Sequence, residues 1–112
     1  MKNDILEQTA REYFSSGLDE YAKERYNSAV VLFFKAIVAY IDLLLLQKTN
    51  HTPSSHNDRF RMAQKELPDI YDILDKDFPF YQDSYIQKLS KELAEVMKND
   101  AQIVAKKAGI EL

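Results

Sequence analysis

The sequence contains no cysteine and no tryptophan, and only two glycines, three prolines and two histidines among its 112 residues. Without cysteine there can be no disulfide, thiolate nucleophile, Cys-ligated zinc or iron–sulfur cluster. The two glycines, Gly17 and Gly109, stand far apart, which excludes a glycine-rich phosphate loop. So few chain breakers favour long helices over many short strands. A basic excess is also missing: 15 Lys and Arg face 18 Asp and Glu, for a net charge of −3. That balance argues against a general nucleic-acid binder, which needs cations to displace phosphate counterions. Residues 1–7 mix charges and carry no apolar run of the signal-peptide kind, so a cytoplasmic setting is expected.

What is present is an ordinary globular balance, 46% hydrophobic and 29% charged, with seven Tyr and six Phe. A chain of this length is expected to form one domain with a real core. The spacing of apolar residues predicts four helices, at about residues 4–24, 27–47, 56–76 and 81–108. In the first, Leu6, Ala10, Tyr13, Phe14, Gly17, Leu18 and Tyr21 recur at three- and four-residue steps, with Asn3 placed to cap. The second holds AVVLFFKAIVAYIDLLLL (29–46), whose 18 residues approach the length of a membrane span. Lys35 and Asp42 inside it argue for the central helix of a bundle rather than a span. With Ser28 they fall seven apart and make one narrow polar stripe, so the helix is expected to be covered on three sides, or on two sides and by a second copy.

Ser55 followed by Asp58 resembles a capping box and predicts a helix start near His56. Pro68 predicts a kink or a break after Leu67, and Asp-Phe-Pro-Phe (77–80) predicts the next turn. The last helix then shows a seam of Tyr85, Leu89, Leu93, Val96, Asp100 and Ile103, with Gly109 as its stop. The expected fold is all-α, an antiparallel four-helix bundle with its third helix kinked or broken at Pro68.

Polar side chains gather in one corner, residues 48–65. Ser55, His56, Arg59 and Arg61 there would offer a phosphate the amides of a helix N-terminus, an imidazole and a guanidinium fork. Equally, Ser55 caps, His56 packs on a loop and the arginines are solvated. His51 and His56 are five apart and lack a third ligand at a standard spacing, so no metal and no cofactor is expected. Asp69, Asp72 and Asp75, at steps of three, would line one helix face as a solvated surface, a cation site or a dock for a basic partner.

Tyr13-x3-Gly17-x11-Ala29-x3-Phe33-x2-Ala36 resembles a single tetratricopeptide repeat, although the pattern does not recur later in the chain. EYAKERYNSAVVLFFKAIVAYIDLLLL, followed by TPSSHNDRF, resembles the HEPN domain, with Tyr26, Ala29, Phe33, Ala36, Leu43 to Leu46 and His56 at the positions of that pattern. The resemblance implies an all-α bundle, often a homodimer, sometimes paired with a nucleotidyltransferase in a toxin–antitoxin system. Catalytic members are metal-independent RNases carrying an Arg followed after four to six residues by a His. Here that order is reversed, His56 before Arg59 and Arg61, and the nearest upstream arginine is Arg25. The expectation is therefore a non-catalytic HEPN-like bundle. It would bind a partner protein, a nucleotide or RNA phosphate, and self-associate through the apolar second helix. The alternative is an RNase using His56 with Arg59 or Arg61.

Overall fold

The computed structural model describes residues 2–112, which are all-helical: α1 (Lys2–Ala22), α2 (Tyr26–Thr49), α3 (His56–Glu66), α4 (Pro68–Asp83) and α5 (Lys91–Lys107). Every other helix packs against α2. Its side chains from Ala29 to Leu45 supply half the core, including fully buried Phe33, Ile37, Tyr40 and Ile41. α2 is long and apolar enough to cross a bilayer, and 61% of its most apolar 18-residue stretch is buried inside the protein. Its greasiness is thus accounted for by the four helices around it.

α1 and α2 form an antiparallel hairpin. Tyr21 meets Tyr26 near the turn, Gly17 meets Phe33 in the middle, and the Lys35 ammonium stands 6.0 Å from the Tyr13 ring further on. Gly17 is required by this close approach, because a Cβ there would lie 2.6 Å from Phe33 Cε1. The turn closes with Arg25 N–H donating to the Glu20 carbonyl and Glu24 N–H to that of Tyr21. This is a Schellman ending with a glutamate (φ 62°) in the left-handed position. α5 ends in the same way, with Gly109 (φ 79°) in that position and Ile110 N–H donating to the Ala105 carbonyl.

The chain departs from the expected boundaries in three places. α1 begins at Lys2, so Asn3 lies inside it rather than capping it. The third helix breaks at Leu67, and Pro68 opens α4 as its first residue, where a missing N–H costs nothing. The predicted turn at 77–80 is helical. α4 runs through Pro79 to Asp83, and the turn falls at residues 84–90. Pro79 and Asp75, whose carbonyl Pro79 leaves without its helical donor, are both exposed, so water can serve that carbonyl. α5 accordingly starts at Lys91, capped by Ser90, not at Tyr81. With ten residues removed from the helix the expected seam changes: Tyr85, Val96 and Ile103 are exposed, Leu89 and Leu93 are half-buried, and Asp100 is buried together with Ala94, Met97, Ala101, Val104 and Ala105. Asp69, Asp72 and Asp75 are exposed.

One side chain holds the 84–90 turn. Asn27 Nδ2 donates to the carbonyls of Ser84 (3.0 Å) and Gln87 (2.6 Å), and its Oδ1 accepts from Leu89 N–H (2.9 Å). Between α4 and α5 lies a less comfortable contact. Asp77 is 0% exposed and neither of its oxygens meets a hydrogen-bond donor. Its neighbour is a second carboxyl, Asp100, whose Oδ2 stands 2.9 Å from Lys76 Nζ, while that ammonium is 3.7 Å from Asp77 Oδ1. Burial first, then the neighbouring Asp100 carboxyl, push the Asp77 carboxyl up to about 8, with Lys76 opposing.

Two predictions follow from this packing. Gly17→Ala should cost about 1–3 kcal/mol in chemical denaturation, because Phe33 is fully buried and cannot swing away. For Asp77, the folded state keeps a proton up to about pH 8 that the unfolded chain releases near 3.8. The folded state therefore binds more protons across that window, and its stability falls as pH rises through it. Asp77→Asn, which cannot ionise, should match the wild type near pH 4 and gain on it steadily toward pH 8. Tm measured across pH for both proteins tests this.

Candidate functional site

The four candidate residues do come together at the start of α3, but most of their bonding capacity is spent on the protein itself. Ser55 is the N-cap, its Oγ accepting from Asp58 N–H at 3.1 Å. The Asp58 carboxylate reaches back one residue further than a standard capping box, accepting from Ser54 N–H (2.9 Å) and Ser54 Oγ (3.2 Å). It also pairs with Arg61 one turn on. The Ser54 amide first, then Arg61, hold the Asp58 carboxyl below its ordinary range. The charge of Arg61 is thereby matched locally.

Arg59 is matched more firmly. Its Nε donates to Asp42 Oδ1 at 2.7 Å and its Nη2 to Asp42 Oδ2 at 2.9 Å, a bidentate fork between α3 and α2. Both side chains are 13% exposed, so the pair is largely shielded from water and each charge needs the other. The remaining Nη1 meets His56 Nδ1 at 3.0 Å. A guanidinium can only donate, so Nδ1 is the acceptor and carries no proton, which leaves Nε2 as the protonated nitrogen of the neutral ring. The His56 ring also lies 5.9 Å from Phe78. Asp42 thus orients Arg59, and Arg59 orients His56.

His56 looks onto a groove of about 250 Å³ floored by α2 through Lys35, Val38 and Asp42, and walled by Tyr13 of α1 and Tyr81 of α4. Lys35 has no carboxylate within ion-pair distance among the described residues. The Tyr81 hydroxyl is bonded to that of Tyr85 at 3.0 Å, which raises the Tyr81 phenol above its usual value. Chemically the groove offers a free ammonium, one imidazole nitrogen and aromatic walls. It holds no uncommitted guanidinium. Among the described residues no three His, Asp or Glu side chains are placed to hold a metal ion. His51 is exposed in the α2–α3 connection and is not among the residues of the groove.

Sequence reasoning placed the corner but missed Asp42 as the partner of Arg59, and Lys35 and Tyr81 as neighbours of His56. A signal for the first was present: a carboxylate inside an apolar helix must find a cation or stay wet. Nothing in the spacing named which cation. Asp42 and Arg59 stand 17 positions apart across a loop whose path the sequence does not dictate.

The fork predicts a clear double-mutant cycle. Asp42→Leu and Arg59→Met singly should each cost about 2–4 kcal/mol, because each leaves a shielded charge unpaired. The double variant should recover at least half of the sum. Urea denaturation of the four proteins measures it. Comparison of the chain with family models, curated proteins and solved structures returned no match, so the site is read from its own geometry.

Proposed function

We propose that the chain is a non-catalytic, HEPN-like helical bundle that works by binding a protein partner. In this reading α1, α2 and α5 are three members of a four-helix bundle, and the α3–α4 pair, broken at Leu67, fills the remaining place. The observation that carries the proposal is the open side of α2. α1 and α4 both pack on α2 but make no contact with each other among the described residues, so the strip between them is uncovered. An uncovered face on the helix that organises the core is where a partner gains most from docking. The family resemblance would make that partner a nucleotidyltransferase or the second member of a toxin–antitoxin pair, met in the cytoplasm. A second copy seated on α2 is the less favoured occupant, since most of that helix's apolar surface is already consumed internally.

The second reading, an RNase or a nucleotide-phosphate binder centred on Ser55, His56, Arg59 and Arg61, draws on the His56 nitrogen and Lys35 sharing one groove. It has less support. Arg59 is held by Asp42 and Arg61 by Asp58, so a phosphate would have to displace a carboxylate to reach either. Incubation with single-stranded RNA in EDTA separates the readings. The wild type and His56→Ala are both expected to leave the RNA intact. Cleavage by the wild type that His56→Ala loses would overturn the non-catalytic reading.

A further inference from the structure

The side of α2 between α1 and α4 is a strip of exposed and half-buried residues that ends at the shielded Asp42. Ser28, Val31, Leu32, Lys35, Val38 and Asp42 recur at three- and four-residue steps and share one face. From Ser28 to Asp42 it runs roughly 21 Å, at 1.5 Å per residue. Two hollows lie along it. The first, about 690 Å³, sits over Val31 and Leu32 between α1 and the residues after α4. The second is the 250 Å³ groove beside Lys35. The bonded hydroxyls of Tyr81 and Tyr85, one lining each hollow, join the two along the same wall. Large apolar side chains stand open at both ends: Tyr85 at 73% exposure by the first hollow, and Ile5 at 64% beyond the second.

We infer that this groove takes an amphipathic helix of a partner protein, about four turns long, which lays apolar side chains on Val31, Leu32 and Val38 and sets a carboxylate against Lys35. The inference rests on the binding-module reading and names the chemistry of its partner. The helical occupant follows from the shape. The strip has helical periodicity, it runs between α1 on one side and α4 with the turn after it on the other, and no strand edge exists among the described residues for an extended peptide to join. The acidic residue follows from charge. Of the other charged groups on or beside the strip, Asp42 pairs with Arg59 and Glu20 with Arg25, while Asp19 and Lys23, of opposite charge, both line the first hollow. Lys35, in the middle of the floor, has only the face of the Tyr13 ring among the described residues. A helix lying over Lys35 strips water from its ammonium, which is costly unless the occupant brings a carboxylate. The same argument disfavours a second copy of this chain, because two such strips apposed about their midpoints bring Lys35 against Lys35.

The test uses the full chain, labelled with nitrogen-15, and two synthetic alanine-based helical peptides of about 16 residues. Both carry leucines at three- and four-residue steps. One has a glutamate in the middle of that face and the other a lysine. The glutamate peptide should shift the amide signals of residues 28–42 and bind at least about tenfold more tightly than the lysine peptide at low salt. Lys35→Glu, an exposed substitution whose folding circular dichroism confirms, should reverse that preference. Equal binding of the two peptides, shifts confined to other surfaces, or no shift at millimolar peptide would overturn the inference. So would a dimer, seen by light scattering, that buries residues 28–42 and excludes both peptides. Each of these failures removes the acidic helix as occupant while the RNA assay still stands, whereas His56-dependent RNA cleavage removes the binding-module reading itself.

Discussion

A helix that is apolar on nearly every side has to be surrounded, and most of this architecture is the solution to surrounding α2. A 24-residue helix apolar on nearly every side needs more than one neighbour to enclose it, and four share the task. α1 covers one side along most of its length, α5 covers another, and the remaining side is shared by two shorter helices. The break at Leu67 is what allows that sharing, because it lets α3 and α4 lie against α2 separately. The hydrophobic gain from enclosing Phe33, Ile37, Tyr40, Ile41 and Leu45 outweighs the cost of ending one helix and starting another at a proline that opens helices well.

Enclosure forces the charges of the core helix to be settled as well. Asp42 is settled by Arg59, and the same guanidinium fixes the tautomer of His56, so a cluster that looks like a reaction centre in the sequence acts as a clamp between two helices. Asp77 is settled differently. It stands beside a second carboxyl, Asp100, while the Lys76 ammonium at 3.7 Å makes no hydrogen bond to it, and it keeps a proton. Lys35 is left to the face of the Tyr13 ring and to water. These three outcomes on one protein show how burial ranks its remedies: a bidentate cation where one fits, a proton where the cation stands too far to bond, and water where the face stays open.

Helix existence was legible in the sequence wherever apolar residues kept a long unbroken period, as in α1 and α2, and where cap chemistry was local, as at Ser55, Asp58 and Gly109. The misplacement of α5 has a simple cause. Pro79 reads as a breaker, yet it sits on the exposed side of α4, where an unserved carbonyl can be hydrated, and the true turn is set by Asn27, some 60 residues earlier in the chain. The candidate site was half legible. His56, Arg59 and Arg61 were placed together because they are close in sequence. Their partners on α2 and α4 come from contacts across the core, and a periodic pattern states which face is inward without stating what it will meet.

The Asn27 side chain illustrates how narrowly such a contact can be specified. It gives two N–H bonds to carbonyls and takes one from an amide, all within the 84–90 turn. Hydrolysis of that one amide to a carboxylate would exchange both donors for acceptors and set a negative charge against the carbonyls of Ser84 and Gln87. The join between α4 and α5, and with it the Tyr85 end of the open groove, therefore depends on the chemical age of a single side chain.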